Sequence, residues 1–114
     1  MSAGKNLDFV LLLDVYECML TDRQKELMQY YYWEDMSLGE ISENSGITRQ
    51  AVRDSIKRAE QTLTDLEEKL GLAGKIVKCR STFDDIVKNT EHMNSDVQSL
   101  ENIRELALKG REIF

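Results

Sequence analysis

The residues of this chain with the most distinctive chemistry are cations grouped within residues 46–59, GITRQAVRDSIKRA. This stretch contains one carboxylate, Asp54, and four cations: Arg49, Arg53, Lys57 and Arg58. Guanidinium and ammonium groups bind phosphate oxygens, and arginine and glutamine make paired hydrogen bonds with guanine and adenine edges. Because Thr48 and Gln50 lie in the same stretch, we interpret it as a candidate surface for contact with nucleic acid.

The rest of the chain is acidic, and its formal net charge is -6. Residues 48–58 have four cations and one carboxylate, a net +3, whereas residues 21–47 have two cations and six carboxylates, a net -4. A protein that binds a duplex gains affinity by releasing counterions from roughly 6 to 10 neutralised phosphates, and this patch supplies about half that number. We therefore expect one copy to bind weakly and a homodimer, with two such helices roughly 34 to 36 Å apart, to bind usefully.

Other chemistry is poorly represented. His92 is the single histidine, Cys18 and Cys79 lack the spacing of a zinc site or a disulfide framework, and adjacent acidic pairs such as Asp84 and Asp85 diverge by about 100° around a helix. No glycine-rich loop that could cradle a phosphate is present in the sequence. We predict no catalytic residue, no metal and no cofactor, and hence a protein that is not an enzyme.

The composition favours an all-α fold, since the chain contains no proline and six isolated glycines. Its 114 residues suffice for one compact domain. The longest apolar run, residues 9–13, is far shorter than the roughly 20 residues that cross a bilayer. We expect a cytoplasmic protein with no membrane insertion.

Two helices are predicted before the cationic stretch. The first covers residues 7–20 and has six apolar residues that we expect to face inward: Leu7, Val10, Leu11, Tyr16, Met19 and Leu20. The second covers residues 22–35, follows a cap at Thr21 or Asp22, and places Leu27, Met28, Tyr31 and Tyr32 inward. The aromatic residues 30–33 recur at helical spacing, so we interpret them as core rather than as a platform for stacking bases.

The cationic stretch itself is predicted to be a helix braced by a shorter one. Ser37 and Glu40 have the spacing of a capping box, which starts the short third helix with Leu38 and Ile41 inward, and Gly46 ends it. Thr48 then caps a fourth helix, whose buried stripe is predicted to contain Val52, Ser55, Ile56, Ala59, Leu63, Leu66 and Leu70. Arg53, Lys57, Gln50, Asp54 and Arg58 fall on its opposite, polar face.

The unit over residues 20–63 therefore follows the pattern of a helix-turn-helix, in which a short helix and a turn hold a second helix so that its first residues enter the major groove. The stretches LTDRQKELMQYYYWEDMSLGEISENSGITRQAV and RDSIKRAEQTL resemble region 4 of bacterial sigma factors. More closely, they resemble the YlxM/p13-like family, which carries a sigma-4-like helix-turn-helix, and the flanking helices are similar to that family's plan.

The resemblance implies DNA binding with particular roles. It places Arg49, Gln50 and Asp54 at base-reading positions and Arg53 at a phosphate-facing position. Asp54 is a departure, since an aspartate can accept a hydrogen bond from cytosine but repels phosphate. From the residues alone we add the remaining candidate contacts, the last three of which lie near helix starts where anions bind: Thr48, Lys57, Ser37, Arg23 and Gln24.

The resemblance also implies a cellular context. Genes of the family characteristically neighbour the gene of the signal recognition particle GTPase, which implies a regulatory or accessory part in that pathway. The alternative to a DNA-binding regulator is an adaptor that binds the signal recognition particle protein or its RNA without reading sequence.

The C-terminal part is predicted to be a separate helical extension, so that residues 1–70 form the helix-turn-helix domain and residues 71–114 the extension. Gly71 and Gly74 mark a break. A fifth helix follows with the apolar stripe Leu72, Ile76, Cys79, Phe83, Ile86 or Val87 and Thr90, and a sixth follows a polar linker with the stripe Val97, Leu100, Ile103, Leu106 and Ala107. These stripes must be buried either against the fourth helix or in a homodimer.

Overall fold

The computed structural model describes residues 8–91 and 97–113, and every regular element in them is helical. The all-α prediction is confirmed. Two compact units are present, Met1–Gly71 and Leu72–Phe114. The predicted helix start at Leu7 and the linker around His92 lie outside the described residues.

The first unit begins with two short helices. α1 is Asp8–Tyr16, a 3₁₀ turn covers Glu17–Met19, and α2 is Asp22–Met28. Thr21 caps α2 through a capping box, since its hydroxyl accepts from the Gln24 amide at 3.2 Å and the Gln24 side chain accepts from the Thr21 amide at 3.1 Å.

The predicted first helix is too long at its C-terminal end. The 3₁₀ turn has about three residues per turn rather than 3.6, so it changes which residues face inward. Leu13, Tyr16 and Leu20 are buried, whereas Met19, predicted to be inward, is 60% exposed.

α2 does not continue as an α-helix through residue 35, as predicted, but widens into a π-helical turn over Gln29–Trp33. Within this turn the Tyr31 and Tyr32 rings pack edge to face with centroids 5.0 Å apart, and Tyr32 lies 5.9 Å from the Phe9 ring. Trp33 is 46% exposed, so the interpretation of this cluster as core is wrong for the tryptophan.

The helix-turn-helix consists of α3, Leu38–Ser45, and α4, Arg49–Leu70. Both predicted caps are present: Ser37 and Glu40 form the capping box, and Thr48 caps α4. The core of the unit combines residues of α2, α3 and α4 that are almost fully buried: Leu27, Met28, Ile41, Val52, Ile56, Ala59 and Leu63. The buried stripe of α4 ends sooner than predicted, since Leu70 in its last turn is exposed.

The second unit consists of α5, Leu72–Glu91, and α6, Val97–Arg111, which pack against each other. Gly71 has a φ of 61° and separates the units, but Gly74 lies inside α5 and does not break it. At the α5–α6 contact Gly110 approaches the methyl of Thr82, which is nearly buried.

The predicted apolar stripes of this unit are only partly covered. Ile76, Cys79, Ile86, Ile103 and Leu106 are half-buried, whereas the other large apolar members are exposed: Phe83, Val87, Val97 and Leu100. The face of α5 that lines the grooves with α6 is instead largely polar and includes Lys78, Thr82, Asp85 and Asn89. No helix in the described residues is both long enough and apolar enough to cross a membrane.

Candidate nucleic-acid interface

The turn before α4 is fixed by local hydrogen bonds. Gly46 takes a left-handed conformation with a φ of 72°, the Ser42 hydroxyl donates to the Ile47 carbonyl at 2.6 Å, and the Thr48 hydroxyl accepts from the Ala51 amide at 3.0 Å. Left-handed backbone costs glycine little, which is why glycine suits this position. These bonds set where α4 begins and therefore which of its side chains face outward.

The four cations at residues 49–58 of α4 are exposed: Arg49, Arg53, Lys57 and Arg58. None of these side chains forms an ion pair or a hydrogen bond with any residue in the described part of the chain. Carboxylates three or four residues away on a helix can form ion pairs with such cations, worth about 0.2–0.5 kcal/mol each. Here the outer face of α4 keeps its positive charge available to an external anion.

Gln50 and Asp54, both at predicted base-reading positions, bind each other. The Gln50 amide nitrogen donates to the Asp54 carboxylate at 2.9 Å, one helical turn away. Such exposed pairs contribute only about 0.2–0.5 kcal/mol. A base edge could therefore displace this hydrogen bond at little cost.

A groove of about 440 Å³ borders the cationic face. It is lined by Arg53, Lys57, Ile56 and Glu60 of α4 and by Tyr31 and Leu38 from the preceding elements. Arg53 and Lys57 are thus brought together, beside the residue that follows the Ser37 cap.

One carboxylate of this groove, Glu60, is hydrogen-bonded to a tyrosine. The Tyr32 hydroxyl donates a short hydrogen bond to Glu60, which stands three residues after Lys57. Burial raises the pKa of Tyr32 well above its ordinary value of 10.0, and the bond to Glu60 and its negative charge raise it further. The tyrosine therefore remains a neutral donor to one oxygen of the Glu60 carboxylate.

The three candidate phosphate contacts near helix starts are already engaged. The Ser37 hydroxyl accepts from the Glu40 amide at 3.1 Å, Gln24 completes the capping box of α2, and Arg23 lies 3.8 Å from Glu26. Within the described residues, no hydrogen bond or ion pair joins Arg23 or Gln24 to the α4 cations.

The sequence interpretation missed three residues of this surface. Tyr32 is predicted to lie in the core, and no contact is predicted for Glu60 or Gly39. Glu60 could have been noticed, since at 100° per residue it lies about 20° from Arg53 on the same face. Gly39, whose backbone lies against the Arg49 guanidinium, carries no such signal.

A capped short helix, a left-handed glycine turn and a second helix with an exposed outer face define an all-α helix-turn-helix protein. The chain belongs to the family described as "Putative helix-turn-helix protein, YlxM / p13 like", whose sequence profile matches residues 3–103. The resemblance to that family, drawn above from residues 20–63, is confirmed.

Relatives in several bacteria are similar over most of the chain. A UPF0122 protein of Thermoanaerobacter sp. (strain X514) is 42% identical over 110 residues, which cover 94% of each chain. One of Listeria innocua is 40% identical over 100 residues, covering 82% of this chain and 91% of the relative. One of Desulforamulus reducens is 60% identical over 65 residues, 57% of this chain, and that match spans only 56% of the relative's length.

Proposed function

We propose that this protein is a DNA-binding regulator of the sigma-4-like helix-turn-helix type, with α4 as the recognition helix in the major groove. The observation that carries the proposal is the set of four exposed cations at residues 49–58 of α4, none of which forms an ion pair with a described residue. They begin one residue after the Thr48 cap, at the end of the helix that enters the groove in this class of protein.

The proposed contacts fall into two groups. Arg49, Gln50 and Asp54 at the start of α4 meet base edges, since their side chains are exposed there and can form paired hydrogen bonds. Arg53 and Lys57, which share the groove beside α3, meet phosphates, which fix position without reading sequence. Four further residues remain candidate contacts with the DNA backbone, although each also has a structural role or an acidic neighbour: Thr48, Ser37, Arg23 and Gln24.

We also propose that residues 71–114 make the protein a homodimer, while residues 1–70 form the binding domain. A dimer is supported by the exposed apolar side chains of α5 and α6, because soluble monomers rarely leave many of them uncovered in one small unit. It would double the cations available to one duplex, which the low charge of a single copy requires.

The proposed setting is the cytoplasm and the signal recognition particle pathway, as the family's gene arrangement implies. The alternative is an adaptor whose α4 contacts the particle's RNA or an acidic surface of its protein. The carboxylates of α2 and α3, including Glu40 and Glu43, favour this alternative to the extent that they repel a duplex lying across both helices.

The deciding experiment is selection from a random duplex library with purified protein at moderate salt, in the presence of bulk nonspecific DNA. We expect a two-fold symmetric motif, whose binding Arg53→Glu abolishes. Matched binding assays use the signal recognition particle RNA and protein. Binding to either of these, with no motif recovered, would replace the DNA proposal with the adaptor.

A further inference from the structure

The first arginine of α4 rests on a glycine of α3. A Cβ atom placed on Gly39 would lie 2.7 Å from Nη2 of Arg49 and 3.1 Å from both its Cζ and its Nε. Three atoms of one guanidinium therefore lie close above the place where every other residue type carries a side chain.

This contact depends on the absence of a side chain at residue 39. Real Cβ atoms essentially never approach a heavy atom within 3.0 Å, so an alanine there would have to displace its neighbour. The neighbour is the far end of a flexible side chain, and hence α3 would keep its fold while Arg49 moved. Glycine otherwise destabilises a helix, because it loses more backbone conformational entropy on folding than alanine does.

The contact with Gly39 leaves the hydrogen-bond donors of the Arg49 guanidinium available to a ligand. Its side chain makes no hydrogen bond or ion pair with any residue that the structure describes, and Arg49 as a whole is exposed. The guanidinium is thus placed by packing alone, with its donors unused by the protein.

We propose that Gly39 is a positioning residue for Arg49, holding its guanidinium against α3 in one arrangement before a ligand binds. The proposal rests on the proposed function, in which Arg49 contacts the duplex. A long side chain that is ordered in advance loses less conformational entropy on binding. Loss of the contact between Gly39 and Arg49 should weaken duplex binding by about two- to tenfold, which corresponds to the entropic cost of ordering one flexible side chain.

The test is a double-mutant cycle on the full-length protein, with a fluorescently labelled duplex of mixed sequence as the probe. Gly39→Ala should weaken binding in the wild-type background and change nothing in the Arg49→Ala background, because its whole effect passes through that arginine. Gly110→Ala is the matched control: it also replaces a helical glycine, but its Cβ would meet Thr82 at an ordinary 3.4 Å.

A second readout does not depend on the ligand. The Nε–Hε resonance of Arg49, assigned by its loss in Arg49→Lys, should shift in Gly39→Ala and stay in place in Gly110→Ala, while the melting temperature of Gly39→Ala does not fall. An unchanged resonance, or equal weakening in both backgrounds, overturns the positioning role. If the wild type binds no duplex but the resonance shifts, the proposed function fails and the positioning of Arg49 stands.

Discussion

At the scale of single residues, the carboxylate beside the cations of α4 is hydrogen-bonded to a tyrosine rather than ion-paired with them. The Glu60 carboxylate accepts a hydrogen bond from the Tyr32 hydroxyl. Glu60 lies three residues after Lys57, a spacing at which the two side chains could form an ion pair. The hydrogen bond joins residues 28 positions apart and so ties the π-helical turn to α4.

The Tyr32 hydroxyl gives a pH-dependent prediction. Because burial and Glu60 raise its pKa above 10.0, folding favours the protonated phenol, and this contribution is complete below pH 10.0 and is lost as the pH rises further. Urea unfolding should therefore show wild type more stable than Tyr32→Phe near neutral pH, with the difference shrinking above pH 10.0. Tyr30→Phe is the control, since the Tyr30 hydroxyl lies 3.4 Å from Glu26 in an exposed pair. A difference that grows with pH would contradict the assignment.

Two residues of α4 should behave differently in DNA binding. Gln50→Ala should change the preference at one base pair by about 1–3 kcal/mol, whereas Lys57→Ala should weaken all sequences alike and reduce the salt slope by about 1. Titrations of singly substituted duplexes over a salt series measure both effects.

The control for the first of these is Gln61→Ala. Gln61 forms the same type of 2.9 Å hydrogen bond with Asp65 farther along the helix, so it reports the loss of a glutamine–aspartate pair alone. If Lys57→Ala alters preference and Gln50→Ala does not, the two roles are assigned the wrong way round.

At the scale of elements, α3 and α4 begin where they do because their start signals are local. The Ser37 and Glu40 capping box, the Thr48 cap and the Gly46 turn each need only a few neighbouring residues, and the structure contains all of them. The 3₁₀ turn after α1 and the π-helical turn after α2 carry no comparable signal. They depend on packing between distant residues, which is why the exposure of Met19 and Trp33 was predicted wrongly.

The candidate site divides in the same way. Helical periodicity is enough to place Arg53 and Lys57 outward and Val52 and Ile56 inward, as observed. The contacts of Gly39 with Arg49 and of Tyr32 with Glu60 join separate elements and could not be read from spacing. In α5, periodicity identified an apolar stripe but not what covers it, and Phe83 is 58% exposed.

The turn between α3 and α4 can be tested through its backbone conformation. Gly46 has a φ of 72°, and a Cβ atom at this position would have no neighbour within 4 Å, so a substitution there meets strain but no collision. Gly46→Ala should lower the free energy of unfolding by about 1–2 kcal/mol, and Gly46→Asn by less, because asparagine tolerates the left-handed region better. Urea unfolding measures both variants. An alanine variant as stable as the wild type would show that the turn is not left-handed.

At the scale of the whole molecule, the proposed dimer rests on the second unit. Val77, Phe83 and Val87 on α5 are exposed, as are Val97, Leu100 and Leu108 on α6. Many exposed large apolar side chains in one small unit are typical of a protein that contacts another protein.

Phe83→Glu should therefore convert a dimer into a monomer without loss of helix content, because the side chain is exposed within its own unit. Sedimentation equilibrium and circular dichroism measure the two properties, and duplex affinity should fall with the dimer. Lys75→Gln is the control, since it makes the same helix more negative by the same one charge. A Phe83→Glu protein that sediments like the wild type would exclude this residue from the subunit contact.

The cations of α4 that lack ion-pair partners should also affect how fast the protein associates with a nucleic acid and how that rate depends on salt. At low salt, a distant nucleic acid experiences the net charge of -6 and repels the protein, whereas at physiological ionic strength charges of either sign are largely screened beyond a Debye length of about 8 Å. Productive encounters are then restricted to collisions in which α4 already faces the nucleic acid. Added salt should slow such encounters less than it slows those of a uniformly basic protein, because it screens the distant repulsion together with the close attraction.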